Sequence, residues 1–331
     1  MFINWAHFII PKISFALSFI ANPIFVYLIQ SAKAIQFGDY RYLLYFFATF
    51  NISAAVIDLL VPICVHSYRY ATVFFNVDGI FSERSESGPL LISLRCSFIS
   101  GTYGILNSHF IFRYLILKNK YFVNKYFLPY GLVLSIFLVV FHISFWCIVV
   151  TPTMIDDEER RNYTGQSFQY EFGEDFENIN AKIVVFAEAS TDVVVKSWTG
   201  AIIVTILASY SMVLYFVLGY KIMTGLNQGS TTMSHKTTQM QKRLLWALTI
   251  QTLIPICVSF ICCLVMYGSA FKIGFPSWIN WGSSIAVSMF PFLDPMAIIF
   301  CLPALRQRLF QIIGVDLKLP TTSNQVHTTE N

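Results

Sequence analysis

Charge is scarce in this chain: only 12% of its 331 residues are Asp, Glu, Lys or Arg, against 56% hydrophobic. So few charges cannot coat a soluble globule of this size, which excludes a water-soluble enzyme or binding domain. Internal repeats and low-complexity tracts are also missing, which counts against a transporter built from paired halves. The amino end carries no basic leader and no clear small-residue cleavage site, so the first apolar stretch is expected to remain as a helix. No CxxC pair and no HExxH occurs. The spacing therefore offers no metal site, and neither a cofactor nor a nucleic-acid partner is expected.

What is present is a series of seven long apolar stretches, at about residues 8–30, 42–65, 93–116, 128–150, 198–222, 244–267 and 279–302. About 20 apolar residues cross the hydrocarbon layer as a helix, since backbone polar groups find no water there. The expected fold is all-α, a single seven-transmembrane-helix bundle over 1–331 with a tail over 303–331. After Pro303, Leu305, Leu309, Ile312 and Ile313 recur at helical spacing with Arg306 and Arg308 between them, which predicts a short amphipathic helix against membrane lipids.

Alternate loops differ in charge. The loops after the first, third and fifth spans, with the tail, hold thirteen basic and three acidic residues; the other set holds nine basic and thirteen acidic. Basic residues in short loops stay in the cytosol, so the amino end is expected outside. The sequon Asn162-Tyr163-Thr164 then falls in the long outer loop, where a glycan can be added, whereas Asn51-Ile52-Ser53 lies inside the second span and should go unused. The acidic outer loop is expected to be a solvated face, with attraction of a cationic ligand as the alternative. The clusters Ser230–Thr232 and Thr321–Ser323 are candidate phosphorylation sites or flexible linker.

Several motifs recur at the span ends. The third span closes on His109-Phe110-Ile111-Phe112-Arg113-Tyr114, and the second opens on Phe37-Gly38-Asp39-Tyr40-Arg41-Tyr42-Leu43-Leu44 and ends with Pro62 and His66. The sixth begins Ser234-His235-Lys236-Thr237 and runs through Met240, Gln241, Leu248, Gln251 and Pro255. The seventh carries Pro291-Phe292-Leu293-Asp294-Pro295, with Arg306 beyond. This combination, over about residues 35–310, resembles the Str family of nematode serpentine receptors (serpentine receptor class r type), with its H-F-x-[YF]-R-Y and P-x-x-D-P…R signatures. The resemblance implies a chemosensory, olfactory-type G protein-coupled receptor in the plasma membrane, in the cilium of a sensory neuron. Its partners would be a small odorant or water-soluble ligand and a heterotrimeric G protein. It also implies a catalytically inactive protein. In rhodopsin-like receptors the top of the third helix is tied to the second outer loop. Cys96 stands at that place, but the loop from about 151 to 197 has no cysteine, leaving Cys64 or Cys147 as partners or a free thiol.

Individual residues carry further expectations. An arginine at the inner mouth of a membrane helix faces the bundle or snorkels, so Arg113, with His109 and Tyr114, is the candidate for coupling. The adjacent residue is Phe112 rather than an acid, so a polar group of the sixth helix or a carbonyl must hold Arg113 at rest. Pro255 frees the carbonyl of Gln251 and offers a pivot; Asp294 beside Pro295 is an intramembrane carboxylate on one face with Asn280, Ser283 and Pro291. Asp58 lies about 24 Å above the inner end of the second span at 1.5 Å per residue. With Pro62, His66, Ser100 and Gly104 it is a candidate border of the ligand pocket, an interhelical hydrogen bond being the alternative. Ser97, Ser100, Gly101, Gly104 and Ser108 form a small-residue stripe suited to close helix packing. Arg113 lies about 160° around the helix from Ser97, so the stripe and the arginine face different neighbours. Two rival functions are a ligand-gated odorant channel, which would place the amino end inside, and an intramembrane enzyme using Asp58 and Asp294, which would need both acids at one depth.

Overall fold

A computed structural model describes residues 5–31, 37–76, 78–173, 175–227 and 235–314. Ser234 and both candidate phosphorylation clusters lie outside the described residues. The helices are α1 (Trp5–Ser31), α2 (Tyr40–Leu60), α3 (Gly88–Lys118), α4 (Lys120–Tyr126), α5 (Leu132–Thr153), α6 (Glu158–Phe172), α7 (Thr191–Asn227), α8 (His235–Ala270), α9 (Ser277–Cys301) and α10 (Pro303–Ile313); the strands are β1 (Ile63–Tyr68), β2 (Ala71–Asn76) and β3 (Asn180–Val185).

Among the described residues, seven helical segments are long and apolar enough to cross a membrane: α1, α2, α3, α4 continuing into α5, α7, α8 and α9. Their outward faces stay apolar, with Leu134, Phe137, Ile206 and Phe216 each more than 60% exposed. Contiguous apolar surface of that kind needs a lipid solvent. The chain is a multi-pass membrane protein. The amphipathic helix expected after Pro303 is α10, whose Leu305 is fully buried while Ile312 and Ile313 face out.

The second span is shorter than expected. Val61 leaves the helical region (φ −136°, ψ 69°) ahead of Pro62, because the proline ring crowds the α conformation of the residue before it. Pro62 and His66 are therefore not on the helix: Pro62 packs beside Gly79, and His66 lies in β1.

β1, β2 and β3 form an antiparallel sheet with β2 in the centre, Ile63 opposite Asn76 and Ala71 opposite Val185. Side chains alternate across a strand, and both faces are covered. Ala71, Val73 and Phe75 of β2 and Ala181, Ile183 and Val185 of β3 pack under Phe168 of α6 and Phe176. Phe74 and Val184, on the opposite face, meet Met154, Val204, Met266 and Ala270 at the helix ends. Fully burying each such phenylalanine contributes roughly 1.5–3 kcal/mol. The sheet thus closes one end of the bundle, with α6 as its outer layer.

The long acidic loop is folded rather than free, and it still presents Glu158, Glu159, Asp175, Glu177, Glu188 and Asp192 to solvent. Asp157 caps α6, accepting from the Arg160 backbone at 2.9 Å. Arg160 binds the Asp157 carboxylate at 2.5 Å. Arg161, nearly fully buried, grips Asp156 with Nε and Nη2 at 2.5 and 2.6 Å and donates to the Ile179 carbonyl. All seven cysteines are free, so the candidate bridge from Cys96 to Cys64 or Cys147 is not formed. Asn180 ties the second loop to the start of α3 instead. Its Nδ2 donates to the carbonyls of Phe81 and Glu83 at 2.8 and 2.7 Å, and its Oδ1 accepts from the Ser85 backbone. Gly88 makes room for it; a Cβ there would come within 2.0 Å of the Asn180 side chain.

Candidate functional site

Beneath the sheet lies a cavity of about 90 Å³, walled by Ile92, Cys96 and Ile99 of α3, Trp146 of α5 and Met266 of α8, and roofed by Phe74. One water needs about 10–15 Å³, so the space admits a small organic molecule. Two smaller chambers of about 20 and 40 Å³ adjoin it through Ile99, and Arg95 borders both.

The expected pocket residues are distributed differently. Ser100 and Gly104 face α5 rather than the cavity. The Ser100 hydroxyl is 3.3 Å from His142 Nδ1, and a Cβ on Gly104 would meet the Val139 Cα at 3.0 Å. The small-residue stripe is thus the α3–α5 contact, and Arg113 on the other side meets α8, as the angular separation requires. Asp58 is engaged by Arg95, whose Nε donates to Oδ1 at 2.7 Å and whose Nη2 donates to the same oxygen. Its carboxylate is occupied by a cation, not by a second acid. His66 is buried under α6, with Nε2 3.0 Å from Ser167 Oγ and Nδ1 2.9 Å from Glu171 Oε2. That contact holds the Glu171 carboxyl below its ordinary value of 4.5. Asn162 is exposed on α6, while Thr164 of its sequon is buried and donates to the Arg160 carbonyl.

At the far end of the bundle, Arg113 Nη1 donates to Gln241 Oε1 of α8 at 2.7 Å. The guanidinium stacks over the Tyr40 ring, 4.0 Å from its centroid, and Tyr40 Oη is 2.8 Å from His109 Nδ1. Of the two holders expected for Arg113, the structure uses the α8 side chain. Tyr40 was not anticipated, although its place in the second-span motif was a signal. Tyr114 turns toward α7, where Lys221 lies 5.9 Å from its ring. Gln251 and Tyr40 border one chamber of about 10 Å³. Pro255 is taken into α8 without a break in the helix and borders a chamber with Arg95.

In α9, Asn280, Ser283, Pro291 and Asp294 are all buried, as the shared face implied. Pro295 has no N–H for the Pro291 carbonyl one turn back. Asn22 of α1 supplies that hydrogen, Nδ2 to O 3.2 Å, and Ser14 of the same helix adds a bond to the Ser288 carbonyl. The freed backbone is satisfied by a neighbouring helix, as membrane helices require.

The chain that folds in this way is similar to known proteins over most of its length. Residues 1–309 fit the family described as Serpentine type 7TM GPCR chemoreceptor Srj. The chain belongs to the Srj family. Serpentine receptor class J-38 of Caenorhabditis elegans is 36% identical over 92% of this chain and 93% of its own length. Serpentine receptor class r-10 of Caenorhabditis briggsae is 22% identical over 96% and 94%. The crystal structure of squid rhodopsin superposes with a TM-score of 0.55 over 92% of this chain and 84% of that one, at 11% identity, which shows a shared fold. The serpentine-receptor resemblance therefore holds, and the matching class is J rather than Str. This Srj protein is a chemoreceptor-family member with a rhodopsin-like seven-helix fold.

Proposed function

We propose that this Srj protein detects a small molecule in the sheet-capped cavity and signals through a heterotrimeric G protein at the opposite end. The capped end faces outside and the basic end faces the cytosol of a sensory cilium. The observation that carries the reading is the Arg113–Gln241 bond of 2.7 Å. It joins α3 to α8 at the basic end, and the same two helices supply cavity walls at the other. The sheet is also fastened to the helices that must move: Thr72 bonds Ser269 of α8 at 3.0 Å, and Ser67 bonds Asn280 of α9 at 3.2 Å. A ligand that favours a different α8 position strains both ends together.

Activation is then a population shift. The ligand binds more tightly to an arrangement in which the inner part of α8 swings about Pro255 and parts from Arg113. Arg113 Nε and Nη2 have no hydrogen-bond partner among the described residues. They remain free to meet carbonyls of a G-protein helix in the opened cleft. Raising the active fraction from 1% to 99% takes about 5.5 kcal/mol of differential binding. Membrane lipids cover the apolar outer faces and receive α10.

The test is expression of the full chain with extracellular and cytosolic tags, a G-protein-dependent calcium or cAMP reporter and a panel of volatile and water-soluble compounds. The reading expects an outside amino end, a glycan lost in Asn162→Gln, and a response that disappears when the G protein is removed. A current that persists without any G protein would favour the channel and contradict it.

A further inference from the structure

The cavity has one feature that its apolar walls do not explain. β3 alternates, with Ala181, Ile183 and Val185 turned to α6, so Lys182 between them turns into the bundle and lines the cavity. It is only 3% exposed. Its Nζ donates to the Thr151 carbonyl at 3.2 Å and makes no ion pair among the described residues. The neighbouring cations are all matched. Arg160 holds Asp157 and Arg161 holds Asp156, and Arg95, beside the smaller chambers, holds Asp58. A buried charge is ordinarily paired, because leaving water without a counter-charge is costly.

We propose that Lys182 is the anchor for an anionic ligand, and that the receptor takes a short-chain carboxylate with its headgroup on Nζ and its tail among Ile92, Ile99, Trp146 and Met266. The proposal rests on the receptor reading above and names its ligand class. Burial lowers the Lys182 ammonium from 10.5 to about 8, although the Asp156 carboxylate, already gripped by Arg161, pulls it the other way; it is still mostly protonated at neutral pH, and a bound carboxylate would raise it again. The size fits: about 90 Å³ is several times the space of one water and suits a ligand of about six non-hydrogen atoms. A carboxylate also has the acceptor geometry that an ammonium donor needs, and the charge-assisted bond is the stronger kind.

The experiment compares pentanoate, 1-pentanol and methyl pentanoate on the full-length receptor. Binding is read by thermal stabilisation of purified protein, and signalling by the G-protein reporter in cells. The expected result is stabilisation by pentanoate at concentrations at least about tenfold below those of the alcohol and ester. That preference should be lost in Lys182→Met and kept in Lys182→Arg. Equal stabilisation of wild type by all three compounds overturns the proposal, whatever the variants do. So does a carboxylate preference that survives Lys182→Met. Lys182-dependent pentanoate binding without a G-protein response would uphold the anchor and contradict the signalling reading. A G-protein response to neutral compounds that is unchanged in Lys182→Met would do the reverse.

Discussion

Separating Asp58 from Arg95 should be the most damaging conservative change in the bundle. Their side chains are 3% and 5% exposed, and Arg95 Nε lies 2.7 Å from Asp58 Oδ1. Asp58→Asn keeps the shape of the acid but leaves a guanidinium inside the bundle without its counter-charge. Arg95→Met strands the carboxylate in the same way. Breaking a buried pair from one side costs about 3–5 kcal/mol. At about 1.4 kcal/mol per factor of ten, that is a loss of two to three or more orders of magnitude in the folded ratio. Replacing both groups by apolar ones of similar size is close to neutral in such settings, so Asp58→Leu with Arg95→Met should recover most of what Asp58→Leu or Arg95→Met loses alone, and these two single variants with the double close the cycle. The coupling would then be several kcal/mol, far above the roughly 0.3–0.5 kcal/mol scatter of independent sites. The assay is a double-mutant cycle on purified receptor by thermal unfolding, with surface expression in parallel. Single variants as stable as wild type, or a double variant as poor as the two losses added, would refute the reasoning.

Other outcomes follow from packing and from the cap. Gly104→Val drives a side chain into the Val139 and Leu138 backbone at 3.0–3.2 Å, so surface expression should fall several-fold, while Gly225→Ala, with open space around it, should match wild type. Gly88→Ala collides with Asn180 at 2.0 Å; it should loosen the cap and speed proteolysis within α6, as should Asn180→Ala. Glu171 has a native carboxyl below 4.5 because His66 bonds it. The native state therefore binds fewer protons than the unfolded one just below that value, and stability present above about pH 4.5 is lost as pH falls through the lowered one. Thermal unfolding should show this acid loss in wild type and a flatter profile in Glu171→Gln.

The membrane helices were legible because about 20 consecutive apolar residues admit few other folds. The cap was not. Ile63–Tyr68 continues the apolar run of α2, and a short apolar run does not distinguish helix from strand by periodicity. Pro62 marked the break, and the β-branched and aromatic residues of Ala71–Asn76 and Asn180–Val185 marked the strands. The contact made by Arg113 was nearer to hand, since an arginine there needs a polar partner and the sixth span is one of two sources of one. Partners that depend on helix rotation, such as Arg95 for Asp58, were out of reach: α3 begins at Gly88, which puts Arg95 two turns inside a helix where a loop boundary was expected. Lys182 was hidden for a simpler reason. A lysine in an unassigned loop has no side until the strand gives it one.

The central claim is that the α3–α8 contact at the basic end holds the receptor at rest. Basal G-protein signalling of Gln241→Ala, at surface expression matched to wild type and to the exposed control Trp246→Ala, tests it most directly. A hydrogen bond to a charged group contributes about 1.5–3 kcal/mol, so its loss should raise basal signalling about tenfold with the control unchanged. Basal signalling at or below the wild-type level in Gln241→Ala would contradict the account.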